Sequence, residues 1–259
     1  RRGAYARPSA RPPLRRVSEA QLITAMCDRV SVPAAPEGPG DDAAVHEGEV
    51  TTVDLMVEGV HFTRAHPPLW LGAKLLAVNI SDVGAMAAKP SRFVLTAALP
   101  EETPEDWWSA LSDGIGELAE RVGVTLVGGD VTRSPGAIMM GITAWGALEG
   151  RDPLLRSGGH PGDLLMLHSP QGIGRSHCGL NEWLGLAQDG WGASPPDHPS
   201  VCLEAHLKPK TSWHVGPWAG DNGARAAMDC SDGLVADIPR LAAASGLRLV
   251  VDLDALPPD

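Results

Sequence analysis

Gly40-Asp41-Asp42 opens the stretch GDDAAVHEGEVTTVDLMVEGVHF (residues 40–62), around which the chain is organised. Asp41 and Asp42 follow a Pro-Gly pair, which predicts a turn where both backbone and carboxylates can approach a ligand. The stretch then continues through a run that alternates apolar and polar side chains. The sequence therefore predicts a turn with two acids, followed at once by a strand.

The alternation from Thr52 onward has the period of a β-strand. Val53, Leu55 and Val57 would form its apolar face, and Asp54 would lie on the opposite, more polar face with Thr52.

Three carboxylates in this short stretch, those of Asp41, Asp42 and Asp54, would repel one another unless a cation lies among them. Hard oxygen ligands of this kind suit Mg²⁺ or Ca²⁺. The alternative, from these residues alone, is a solvated acidic hairpin.

The whole stretch resembles the N-terminal signature of thiamine-monophosphate kinases, a branch of the aminoimidazole ribonucleotide synthetase-like superfamily of ATP-using enzymes. Their pattern is a Gly-Asp-Asp turn and a Thr-Asp strand that closes with Glu-Gly-Val-His-Phe. The resemblance implies that the acids bind Mg²⁺ and that His61 contacts the acceptor substrate. Val53 departs from the pattern, because the family usually has a hydroxyl residue there. Thr52 or a backbone carbonyl would then supply the contact to metal.

A second acidic motif lies in a predicted helix over residues 69–88, where Asn79 and Asp82 are three residues apart on one side. Small and apolar residues surround Asp82, and a charge in such a setting is rarely left unpaired. The segment is similar to the family's Asn-Leu-Ser-Asp helix, whose Asp binds magnesium. The resemblance gives that role to Asp82.

A third motif, Gly128-Gly129-Asp130, follows a predicted buried strand over residues 124–127. It resembles the family's Gly-Gly-Asp-Thr-Thr loop, in which the Asp binds magnesium and the backbone touches ATP. The resemblance therefore implies that Gly129 and Asp130 contact ATP. Val131 replaces a hydroxyl residue of that loop.

The motif Asp229-Cys230-Ser231-Asp232-Gly233-Leu234 resembles the family's Asp-x-Ser-Asp-Gly-Leu, whose acids hold magnesium and whose Ser contacts nucleotide. The structural alternative for Ser231 or Asp232 is the N-cap of the following helix. Arg156 matches a family arginine that contacts ATP, and its alternative is an exposed linker residue. The resemblance assigns Asp229 and Asp232 to metal, and Ser231 and Arg156 to ATP.

Composition excludes several classes of protein. A net charge of −11 over 259 residues argues against a nucleic-acid or anionic-membrane surface. No apolar run is long enough to span a bilayer, and four scattered cysteines indicate reduced thiols and a cytoplasmic protein. The six arginines within residues 1–16 fit a poorly ordered extension, with a targeting presequence or a nucleic-acid arm as alternatives.

We expect a mixed α/β (α+β) protein with a basic extension over residues 1–17 and two domains, over residues 18–150 and 151–259. A strand is expected at 249–252 of the second domain. Family members usually continue with a Gly-Gly-Glu-Asp-Tyr-like segment, so the second domain is expected to be incomplete. The family fold pairs the N-terminal sheets of two subunits, which implies a homodimer.

The resemblance implies transfer of the γ-phosphoryl group of ATP to thiamine monophosphate with several Mg²⁺ ions. The acceptor phosphate is ionised near neutral pH, so no catalytic base is assigned. Two alternatives stay open: another ATP-dependent enzyme of the superfamily, and a nucleotide-binding relative without turnover.

Overall fold

The computed structural model of the chain describes residues 18–186, 190–252 and 254. The arginine-rich extension predicted over residues 1–17 lies outside the described residues. The helices are α1 (Glu19–Cys27), α2 (Pro68–Ala85), α3 (Glu105–Val122), α4 (Arg175–Leu186), α5 (Val201–Leu207), α6 (Val215–Asp221) and α7 (Leu234–Ala244). The strands are β1 (Ala44–His46), β2 (Glu49–Val57), β3 (Lys89–Leu99), β4 (Thr125–Arg133) and β5 (Met139–Ala147). This mixture confirms the predicted α/β class.

The strands form one sheet in the order β1-β2-β5-β3-β4. The pair β3–β4 is parallel, and the other neighbours are antiparallel. Helix α2 packs across β2, β5 and β3, and α3 packs beside α2. The main core therefore lies between α2, α3 and one face of the sheet. Among the described residues, no helix is both long and apolar enough to cross a bilayer.

The predicted strand at the centre of the acidic stretch is confirmed as β2, and the face that is buried is its more polar one. Thr52 and Met56 are buried against the helical layer, whereas Val53 and Leu55 are 68% and 56% exposed. The polar face can be buried because α2 presents polar partners to it, including the buried amide of Asn79. The apolar face is left uncovered by the described elements.

Strand β4 also differs from its prediction. It continues through the Gly-Gly-Asp motif as far as Arg133 and lies at the edge of the sheet. Leu126 and Val127 are more than half exposed, because this edge extends beyond the helical layer. The expectation of a buried strand that ends at the Gly-Gly-Asp motif was therefore wrong.

In the second half, the strand expected at 249–252 was wrong, because these residues lie outside every helix and strand. Val250 is 76% exposed, so this segment lacks a covering layer among the described residues. An isolated bridge joins Leu155 to Ala226. Helices α4 to α7 carry the remaining regular structure of this half.

The two halves meet along α2. The buried ring of His66 donates from Nε2 to the Leu207 carbonyl oxygen at 3.1 Å, and Lys74 Nζ donates to the His206 carbonyl oxygen at 3.0 Å. Both acceptors lie at the end of α5. Farther along α2, a Cβ added to Gly216 of α6 would overlap backbone atoms of Gly84. The close approach requires glycine at this contact.

His66 makes this contact sensitive to acid. Burial lowers the pKa of His66 from 6.5 to about 3, and its Nδ1 is buried without a partner. Because the folded-state pKa is depressed, the neutral ring contributes stability above pH 6.5 that is lost as the pH falls toward 3.

Glutamine in the His66→Gln variant still offers an N–H donor but cannot become charged. We therefore expect this variant to lose less stability in acid than the parent. Between about pH 7 and pH 5, the difference in unfolding free energy between the two proteins should shift by about 1–2 kcal/mol in favour of the variant. Urea unfolding at several pH values measures this shift. Parallel pH profiles for the two proteins would contradict the assignment.

Candidate functional site

The site begins where α2 faces β2. Thr52 Oγ1 donates to Asp82 Oδ2 at 2.8 Å, and the Asp54 backbone N–H donates to Asn79 Oδ1 at 3.1 Å. The helical spacing of three residues places Asn79 and Asp82 on the same side of α2. Two sequence motifs are thus joined by direct hydrogen bonds.

The turn before β1 is held by the linker and by the motif near residue 229. Asp42, whose side chain is 1% exposed, accepts from Arg156 through Nε at 2.9 Å and also through Nη2. Its other oxygen accepts from the Asp229 backbone N–H at 2.8 Å. Asp41 accepts from the Arg156 backbone N–H at 2.7 Å. Arg156 is therefore the counter-ion of Asp42, which the exposed-linker alternative did not anticipate.

We define the acidic cluster as Asp42, Asp54, Asp82 and Asp229. Burial, the neighbouring charges of Asp229 and Asp54 and, less strongly, that of Asp42 raise the pKa of Asp82 to about 8. Burial and the charge of Asp42 raise the pKa of Asp229 to about 7. Burial also raises the pKa of both Asp42 and Asp54. The four carboxylates thus share one poorly solvated region.

The acidic cluster fits magnesium by its donor chemistry. Its ligands are hard carboxylate oxygens, and its four acids have one guanidinium, that of Arg156, as ion-pair partner among the described residues. Buried carboxylates with so little compensation favour protonation or a bound cation. In the described part of the chain, no three His, Cys, Asp or Glu side chains are already arranged around one point as a metal site.

Asp130 lies apart from the acidic cluster. It pairs across the sheet with Thr96, which pairs in turn with Gly141 and, through it, with the exposed Leu55. Directly paired residues point to the same face of a sheet. Asp130 is therefore on the uncovered face, opposite to Asp54, and Gly129 lies beside it in β4, paired with Leu95.

Ser231 and Asp232, at the end of the Asp229 motif, also lie apart from the acidic cluster. Asp232 is paired with Arg240, and its side chain is 56% exposed. Ser231 is exposed, and the N-cap of α7 is Gly233, so the prediction that Ser231 or Asp232 caps this helix was wrong. The backbone N–H of Asp232 instead donates to the carboxylate of Asp237 at 3.1 Å.

His61 lies at the edge of the acidic cluster. Its Nδ1 accepts from the Val57 backbone N–H at 2.9 Å, so a neutral ring carries its proton on Nε2. Its proximity lowers the pKa of Asp54, against the larger effect of burial. His61 is exposed, which leaves it accessible to a ligand.

Asp237 was not among the residues predicted from the sequence. Its side chain is 4% exposed, accepts from Arg240 at 2.9 Å and contributes to the raised pKa of Asp229. One signal could have indicated it: an acid in the first turn of a helix among apolar residues such as Leu234 and Ile238.

Two domain families match the chain. The N-terminal domain of AIR synthase related proteins matches residues 40–148, and the C-terminal domain of the same proteins matches residues 160–259. The acidic cluster draws its members from both matched ranges. The division at residues 150 and 151 stays a prediction.

Comparison with curated proteins shows to which group of AIR synthase related proteins the chain belongs. The thiamine-monophosphate kinase of Salmonella typhimurium is 35% identical over 246 residues, which cover 92% of this chain and 73% of that protein. The chain belongs to the thiamine-monophosphate kinase family. The corresponding protein of Mycobacterium tuberculosis is 38% identical over 227 residues, or 86% of this chain. The chain spans 65% of the length of that relative.

Solved structures give the same family. AaThiL complexed with AMPPCP and TMP has a TM-score of 0.76 and 27% identity, and the match covers 92% of this chain and 74% of that one. The thiamine-monophosphate kinase of Stenotrophomonas maltophilia has a TM-score of 0.70 and 32% identity, with coverage of 93% and 75%. The HypE–HypF complex, at 18% identity and a TM-score of 0.67, shares the fold.

The buried charge of Asp82 should cost stability when no cation is bound. Because the folded-state pKa of Asp82 is raised, the parent loses stability as the pH rises from 3.8 to about 8. We expect Asp82→Asn, which still offers an oxygen to Thr52, to unfold at a higher temperature than the parent in EDTA above about pH 8.

Asp113→Asn is the matched control, because it removes an exposed carboxylate on α3. Its unfolding temperature should follow that of the parent. Thermal unfolding followed by circular dichroism measures all three proteins. An Asp82→Asn protein that unfolds at a lower temperature than the parent in EDTA above about pH 8 would contradict the prediction that the charge of Asp82 is uncompensated.

Proposed function

We propose that this chain catalyses Mg²⁺-dependent transfer of the γ-phosphoryl group of ATP to thiamine monophosphate, which yields thiamine diphosphate and ADP. The acidic cluster carries the proposal, because carboxylates from three separated family motifs share one buried, charge-deficient region. Membership of the thiamine-monophosphate kinase family supports the choice of substrate. AaThiL, complexed with AMPPCP and TMP, supports a site for both an ATP analogue and the acceptor on this fold.

The residues that would hold magnesium combine the acidic cluster with the other acids of the family motifs. They are Asp41, Asp42, Thr52, Asp54, Asp82, Asp130, Asp229 and Asp232. When bound, Mg²⁺ would neutralise the acids and withdraw electron density from the phosphoryl group that is transferred. Asp130 and Asp232 are outside the acidic cluster, so we propose that they serve a different ion or a different part of the nucleotide.

Arg156 has two tasks in this proposal. In the protein alone, its guanidinium neutralises Asp42 and its backbone N–H fixes Asp41. With nucleotide bound, we propose that the guanidinium contacts a phosphate of ATP, a geometry that suits the planar fork of arginine. Gly129, Asp130 and Ser231 are the further proposed ATP contacts.

The acceptor needs orientation more than deprotonation. The phosphate of thiamine monophosphate is already ionised near neutral pH, so the chain need not remove a proton from the nucleophile. The exposed His61, next to Asp54, is the proposed contact to this acceptor. No residue is assigned as a catalytic base. The proposed role of the acids is to hold the metal ions in position.

Nucleotide binding without turnover is the second candidate. Val53 and Val131 replace hydroxyl residues of the family pattern, and Val53 is exposed on the uncovered face instead of lying in the acidic cluster. Phosphoryl transfer and simple binding are distinguished by product formation.

A homodimer would cover the apolar outer face of the sheet. Val53, Leu55 and Met139 on this face are exposed by 39% or more, on adjacent strands. An apolar patch of this kind marks an interaction site more often than a solvated surface. We propose that two copies pair through it. We also propose a cytoplasmic location, since Cys27, Cys178, Cys202 and Cys230 are free thiols.

The activity can be tested by incubating the protein with Mg²⁺, ATP and thiamine monophosphate and separating thiamine diphosphate by chromatography. We expect product from the parent and from Asp113→Asn. Asp82→Asn should lower the rate on the order of 100-fold or more, because it removes one of the anionic ligands.

Equal rates for the parent and Asp82→Asn would refute the role of the acidic cluster. Binding of ATP by the parent without thiamine diphosphate would select the second candidate.

The dimer can be tested at the outer face. Leu55→Arg should convert a dimeric parent to a monomer, because the arginine would have to be desolvated at the centre of the interface. Val235→Arg on α7, where the side chain is 93% exposed, is the matched control and should leave the dimer intact. Light scattering that finds only monomeric parent at micromolar concentration would contradict the proposal.

A further inference from the structure

Helices α4 and α5 touch through their backbones at one point. A Cβ added to Gly179 of α4 would overlap the carbonyl group of Cys202 in α5. Only glycine permits this approach, and Gly179 is the neighbour of Cys178 in the chain. Cys178 therefore lies beside the turn of α5 that carries Cys202.

The two thiols already interact. Interaction with the Cys178 side chain raises the pKa of the Cys202 thiol, and both residues are free thiols. Cys178 is exposed and Cys202 is partly buried. An oxidant in solution therefore reaches Cys178 first, with a second thiol in contact.

We propose that Cys178 and Cys202 are a redox modification site, which a peroxide converts to a disulfide that joins α4 to α5. The Cys178 thiolate attacks one peroxide oxygen and becomes a sulfenic acid, while the other oxygen leaves as water after protonation. The Cys202 thiolate then attacks the sulfenic sulfur, and a second water leaves. In total, two thiols and one hydrogen peroxide give one disulfide and two waters.

The other two cysteines lack this arrangement. Burial and the charge of Asp237 raise the pKa of the Cys230 thiol to about 11, and Cys27 lies on α1. In the described part of the chain, the thiol-to-thiol contact belongs to Cys178 and Cys202. Cys27 and Cys230 therefore serve as internal controls.

The disulfide would act on the junction between the two halves. The carbonyl groups of His206 and Leu207, at the end of α5, accept from Lys74 and His66. Fixing α4 to α5 closes a loop from residue 178 to residue 202, which removes entropy from the unfolded chain. We expect the unfolding midpoint of the oxidised protein to rise by roughly 5 °C or more.

The experiment treats the whole chain with a small excess of hydrogen peroxide and blocks the remaining thiols by alkylation. Cleavage after glutamate separates the cysteines, because Glu182 lies between Cys178 and Cys202. The expected product is a linked pair of peptides, residues 150–182 and 183–204, which reduction separates. The Cys27→Ser/Cys230→Ser double variant should give the same linked pair and the same rise in midpoint.

Cys178→Ser and Cys202→Ser should each abolish the linked pair and the rise in midpoint. Since either variant is a small change, its circular dichroism spectrum and reduced midpoint check the fold. Unlinked peptides with both thiols alkylated or oxidised to sulfinic acid in the folded parent would overturn the proposal. So would a linked pair that forms equally fast with Cys27 or Cys230, because the contact between α4 and α5 would then have no special role.

Discussion

The structure depends on the packing of α2 against the inner face of β2. Apolar residues of α2 such as Leu71, Leu75 and Ile80 bury themselves against the sheet and supply the favourable free energy. The same packing forces Asp82 out of water and against Thr52 and its acidic neighbours. The core therefore stabilises an arrangement of charge that would be unfavourable by itself.

The balance between favourable core packing and unfavourable buried charge links the stability of the protein to its function. Three segments, the turn at Asp42, the strand at Asp54 and the motif at Asp229, bring their carboxylates to the end of α2 that carries Asp82. Among these acids Arg156 neutralises only Asp42, and burial raises the pKa of Asp54, Asp82 and Asp229. A site with excess buried negative charge has high affinity for cations and for the phosphates that cations carry.

Local pattern was sufficient to predict much of this architecture. The strand around Asp54 and the helix around Asp82 follow from short-range signals. The buried face of β2 did not follow, because periodicity identifies two faces without saying which one the helices cover. The ion pair between Arg156 and Asp42 joins residues 114 positions apart, and no local pattern contains such a contact. The placement of Asp130 on the opposite face depends on sheet register in the same way.

The most direct test is the position of the cations. Crystals grown with Mn²⁺ and a non-hydrolysable ATP analogue would locate the metal by anomalous scattering. The account predicts at least one ion within about 2.2 Å of carboxylate oxygens of the acidic cluster, with Arg156 moved from Asp42 toward a phosphate. Nucleotide bound with every ion outside the acidic cluster, and Arg156 still paired with Asp42, would contradict it.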